Sequence, residues 1–205
     1  MNPIIKNSLE HAISYQAYKD LMAMLVAEVS TTGNDITEAL VNYTKLNFNR
    51  MKRWDKTIKI DEVSKNKIQE FNHAITWLVI TESWCGDAAH VLPVLHKIAE
   101  LSPFIDLKIV LRDKNPELMN EFLTHGSRSI PKLIMIDNET GMVLNTYGPR
   151  PTEATNYVAR YKAKYGSLTP EFKEDLQHWY NNDKGQNIIS DVVEIITELQ
   201  PNFSQ

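Results

Sequence analysis

Ile75-Thr76-Trp77-Leu78-Val79-Ile80, followed closely by Trp84-Cys85-Gly86-Asp87-Ala88, is the stretch on which the reading of this chain turns. The first segment is short and apolar on both faces, as a central strand covered from two sides must be. The second stands between that strand and a helix-like stretch, so Cys85 lies where exposed N–H groups and the helix dipole favour an anion. Such a position can ionise a thiol and lower its pKa from an unperturbed ~8.5. Cys85 is the one cysteine in 205 residues, so it cannot close an intramolecular disulfide.

Downstream of this stretch strands and helices alternate, which predicts an α/β layer arrangement. Residues 88–101 read as helix, 105–111 as strand and 115–125 as helix with Pro116 in its first turn. Two strands, 132–137 and 142–147, flank Asn138-Glu139-Thr140-Gly141, a hairpin turn. Helices are expected from Thr152, from Pro170 through Trp179, and over 187–199 with Ile188, Ile189, Val192, Val193 and Ile196 on one face. Upstream, the first seventy residues read as helices. Ser14 is a cap for a helix carrying Tyr18, Met22 and Leu25, and Gly33 is a stop. A second helix from about Asp35 places Ile36, Leu40, Tyr43 and Leu46 in register, and a third from Asp61 carries Val63, Ile68 and Phe71. The expected organisation is a helical N-terminal extension over 1–71 packed on the core, an α/β domain over 72–165 and a C-terminal helical extension over 166–205.

The bulk numbers restrict the function classes. A hydrophobic fraction of 42% and a formal net charge of −4 describe an ordinary globular chain without the basic excess expected of a nucleic-acid binder. No apolar stretch approaches the ~18 residues of a membrane span, and the first residues lack a secretory apolar region, so a cytoplasmic location is expected. The six histidines show no metal-ligand spacing, and neither a metal nor a cofactor is expected.

The order strand, Trp-Cys-x-x, helix, strand, helix, Ile-Pro, strand, hairpin, strand, helix resembles the thioredoxin superfamily over roughly residues 72–165. Trp84-Cys85-Gly86-Asp87-Ala88 stands where thioredoxins carry Trp-Cys-Gly-Pro-Cys. Pro93 stands where many carry a helix-bending proline, and Ser129-Ile130-Pro131 matches the cis-proline loop. Gly148 matches a glycine of the substrate groove. The resemblance implies a central mixed sheet flanked by helices. It also implies a nucleophilic role for Cys85 and a groove of Ile130, Pro131, Gly148 and Arg150 that pairs with an extended partner.

The departures are equally specific. Ala88 replaces the resolving cysteine, Asp87 adds a carboxylate beside the sulfur, and Val79 replaces the buried acid that thioredoxins use for proton transfer. Asp87 suits the dipole but opposes a thiolate. Several polar residues carry two readings. His90 is a proton carrier or a partly exposed helix residue, Glu82 is solvated, and Arg150 and Arg128 balance a thiolate, bind an acidic group or lie on the surface. Trp84 shields the sulfur; Trp54, Trp77 and Trp179 belong to core or interface.

The function expected from this combination is monothiol thiol–disulfide exchange through Cys85, in cell redox homeostasis. A protein or low-molecular-weight thiol acts as the external resolving partner. The alternative is a redox-inactive thioredoxin-fold module that uses the cis-proline groove for binding. A dimer bridged through two copies of Cys85 is a third possibility, and the sequence leaves the oligomeric state open.

Overall fold

In the computed structural model, which describes residues 1–200, four helices precede the sheet: α1 (Pro3–Glu10), α2 (Tyr15–Ala27), α3 (Glu38–Thr57) and α4 (Glu62–Glu70). Each starts on a polar side chain, Asn2, Ser14, Thr37 and Asp61 in turn, that accepts a hydrogen bond from a first-turn N–H. Caps of this kind contribute about 1 kcal/mol each and set where a helix begins. Strand β1 (Ile75–Thr81) leads to helix α5 (Ala88–Ala99), strand β2 (Ile105–Leu111) and the short α6 (Pro116–Glu121). The hairpin β3 (Lys132–Asp137) and β4 (Val143–Tyr147) follows, then α7 (Thr152–Tyr165), α8 (Pro170–Asp183) and α9 (Gln186–Leu199). The last five residues of the C-terminal part expected over 166–205 lie outside the described residues.

The sheet order is β2-β1-β3-β4, with β1 parallel to β2 and antiparallel to β3, and β3 antiparallel to β4. This is the α/β arrangement that the pattern predicts, with the mixed, helix-flanked sheet that the resemblance implies. β1 is central, and Ile75, Trp77, Leu78, Val79 and Ile80 are fully buried. Helices α5 and α9 pack on the sheet, α5 against β2 and α9 against β4, and bury Leu92, Leu95, Ile188 and Val192. Pro93 sits buried inside α5, where it lacks the N–H that would bond one turn back.

The N-terminal helices differ from expectation in which faces they bury. Ile36, Tyr43, Leu46 and Val63, expected on inward faces, are exposed. α3 turns Thr44, Asn47, Met51 and Trp54 inward instead. The reason is polar: the loop before Cys85 has backbone and hydroxyl groups that need partners, and Thr44 and Asn47 supply them. Helix 115–125 is also shorter than expected and stops at Glu121, with His125 in left-handed conformation at φ 49°.

Candidate functional site

The loop that carries Cys85 is held from below by a buried polar cluster. The Ser83 hydroxyl lies 2.8 Å from that of Thr44 and accepts from the Thr32 N–H at 3.0 Å. The Ser83 N–H donates to the Thr32 hydroxyl at 2.8 Å, and the Asn47 amide donates to the Ser83 carbonyl at 3.0 Å. These bonds tie the α2–α3 connection and α3 to the strand end, so the N-terminal helices set the position of the motif. Glu82, expected to be solvated, is fully buried and accepts from the Asp113 N–H at 2.8 Å. Burial pushes its carboxyl above the ordinary value.

Cys85 follows this anchored loop, and its side chain is 7% exposed. Its Sγ donates to the Ile130 carbonyl at 3.3 Å, across a cis Ile130–Pro131 bond. The expected lowering of its pKa does not occur: it is pushed up to about 12, first by burial and then by the negative charge of Asp87. The Ala88 N–H at the start of α5 and the Arg150 guanidinium oppose this shift without reversing it. A helix N-terminus favours a thiolate only while water or a cation shares the work of solvation. Here desolvation is larger.

Asp87 does not cap α5. Its carboxylate turns aside and is paired on both oxygens, by Arg150 at 2.7 Å and by the Tyr180 hydroxyl at 2.9 Å. Burial raises the Asp87 pKa, with Arg150 and Tyr180 pulling it back. Tyr180 stacks on His90 at 4.2 Å between ring centroids. His90 is neither a proton carrier nor a partly exposed residue, because it is 1% exposed and bonded at both nitrogens. Nδ1 accepts from the Trp54 indole N–H at 2.8 Å, so Nε2 carries the proton and donates to Gln177 at 2.7 Å. Burial takes its pKa down to about 3, which leaves a neutral ring at physiological pH.

Above Cys85 lies a cleft of about 530 Å³. Trp84, Cys85, Gly86, Asp87, Ile130 and Arg150 line it, so six of the sequence-derived site residues meet there. Ala88 is buried beneath the loop. Pro131 and Gly148 do not line the cleft but pack on each other: a Cβ at Gly148 would fall 2.4 Å from the Pro131 carbonyl oxygen, and its φ is 101°. Glycine is needed at 148 for space and conformation. Loop residues that include Arg128 and Leu168 add to the walls, and the terminal helices supply Tyr43 and Arg50 on α3 and Lys173, Leu176 and Gln177 on α8. Sequence reasoning missed these residues. The 43, 47, 50, 54 spacing on α3 marks the stripe, but it is visible only if a polar stripe is allowed to face inward.

A thioredoxin family model matches residues 33–163, a span that starts at Gly33 in the α2–α3 connection and takes in the whole sheet. The chain belongs to the thioredoxin family. Within the fold of this thioredoxin relative, a protein of unknown function from Pseudomonas aeruginosa superposes with a TM-score of 0.60 at 19% identity, covering 90% of this chain and 97% of that one. An HIV epitope-scaffold superposes with a TM-score of 0.57 at 18% identity, covering 90% of this chain and 98% of its own. At such identities the likeness shows the fold alone. No curated protein matches. Among the described residues, no helix is long and apolar enough to cross a membrane, and no group of three or more His, Cys, Asp or Glu could hold a metal ion.

Proposed function

We propose that this thioredoxin-family chain is a binding module whose ligand enters the cleft beside Ile130, with Cys85 at rest as a neutral thiol. The carrying observation is the state of that sulfur: buried, donating to a carbonyl, and beside the Asp87 carboxyl group. With its pKa pushed up to about 12, the sulfur stays protonated at pH 7. A reducing, cytoplasmic setting suits a protein with a single free thiol.

A second reading is favoured by one feature. Cys85 lines the cleft, and Arg150 already opposes the shift caused by Asp87. A ligand that displaced the S–H from Ile130 would free the sulfur of its acceptor while Arg150 still favours the thiolate. With the proton passed to solvent, the thiolate would attack a disulfide, forming a Cys85 mixed disulfide and releasing one thiolate that takes up a proton. An external thiol would attack that mixed disulfide, freeing Cys85 and carrying away the other half.

Alkylation of Cys85 by iodoacetamide separates the two. The binding reading expects the folded protein to react at least a hundredfold more slowly at pH 8 than the urea-unfolded chain. A reaction midpoint below pH 8 in the folded protein overturns it and supports exchange.

A further inference from the structure

The cleft contrasts in charge with the rest of the molecule. The chain has a formal net charge of −4, yet five cations line this space against one carboxylate, Asp87. Two of the five are occupied: Arg150 pairs with Asp87 at 2.7 Å and Arg112 with Asp113 at 2.8 Å. Arg50, Arg128 and Lys173 make no salt bridge among the described residues, although the charge of Arg128 is felt at Asp113. Arg50 is the informative one. It is half-buried on α3, and it donates to the neutral Asn47 side-chain oxygen at 3.0 Å. Burial and the nearby charge of Arg53 pull its pKa down. A guanidinium partly removed from water with no counter-ion costs stability, and an oxyanion in the cleft would remove that cost.

The position of Arg50 fits that role. Its Nη1 lies 3.8 Å from the point a Cβ on Gly86 would occupy, at the mouth of the Cys85 loop. Arg128 and Lys173 line the same cleft from the loop before Ile130 and from α8. Between these charges the walls are apolar: Leu40 and Leu168 are half-buried, and Tyr43 is 47% exposed. A space of about 530 Å³ is the size of a small-molecule site and too small for a folded partner.

Resting on the reading of this cleft as a binding site, we infer that its ligand is a small amphipathic organic anion, an apolar body ending in carboxylate, sulfonate or phosphate oxygens, with Arg50 as the counter-ion.

Two fluorescent dyes with the same aromatic body test this on the full chain: anilinonaphthalene sulfonate, and phenylnaphthylamine, which lacks the sulfonate. The sulfonate is expected to bind at least tenfold more tightly. Arg50→Gln should weaken it about tenfold and leave the neutral dye unchanged, with partial recovery in Arg50→Lys. Arg160→Gln, on α7 outside the cleft, should change neither dye. Equal affinity of the two dyes for the native chain overturns the inference. An unchanged sulfonate affinity in Arg50→Gln, or a parallel loss of both dyes, does so as well. If neither dye binds, the reading of the cleft as a binding site fails with it; if only the neutral dye binds, the anion inference alone fails.

Discussion

The two sides of the Cys85 cleft treat charge in opposite ways. On the side of Asp87, every charge is answered: Arg150 and Tyr180 hold both carboxylate oxygens, and His90 behind them is neutral and bonded at both nitrogens. On the side of α3 and α8, Arg50 and Lys173 face the cleft without an anion from the chain. A paired charge is explained by the folded state alone, even though the Arg150 Nε–H is buried without a partner. A partly desolvated cation without a counter-ion is not, and this difference separates the part of the site that maintains the fold from the part free to meet something else.

The largest expected effect comes from unbalancing the matched side. Arg150→Met leaves Asp87 nearly buried with one donor, and urea unfolding should show a loss of about 3 kcal/mol. Adding Asp87→Asn should return stability to within about 1 kcal/mol of the native protein, because the uncompensated charge goes with it. If the double variant is as unstable as the single one, packing rather than charge explains the loss.

Behind this network, His90 makes stability depend on acid. Its folded pKa near 3 lies below the ordinary 6.5, so the unfolded chain binds the extra proton between these values. The histidine contribution is therefore full above pH 6.5 and is lost as pH falls toward 3. It amounts to about 2 kcal/mol between neutral pH and pH 5. Unfolding titrations at the two pH values check the slope, and His90→Gln should flatten it.

A smaller effect is expected at the sulfur. Asp87→Asn removes the neighbouring negative charge and leaves Arg150 free, so the Cys85 pKa should fall and alkylation at pH 8 should quicken about tenfold. No change would mean that burial alone sets the thiol. The smallest effect belongs to the unmatched side. Arg50→Gln, for all its consequence for dye binding, should leave unfolding stability unchanged or raise it by less than about 1 kcal/mol. A clear loss of stability would make Arg50 a structural residue and erase the contrast between the two sides.

Much of the architecture could be read along the chain, because the elements that carry it announce themselves locally. β1 is apolar on both faces, Ser14 and Asp61 cap helices where expected, and the turn 138–141 joins β3 to β4. α3 was legible as a helix but not in its orientation. Its best apolar stripe faces solvent, since the hydroxyl of Ser83, distant in sequence, draws Thr44 and Asn47 inward. The state of the thiol was misread for a related reason. A cysteine at a helix start implies a dipole, but not how many atoms from elsewhere remove it from water.

By itself the sequence determined the sheet, the place of Cys85 at the end of its central strand, and the lack of a second thiol, all of which follow from local periodicity, caps and residue identity. The depth of Cys85, the pairing of Asp87 with Arg150, the tautomer of His90 and the cationic cleft were decided by tertiary structure. Desolvation and Coulomb interaction depend on distances through space, and residues 50, 87, 150 and 177 acquire theirs only when the chain has closed around them.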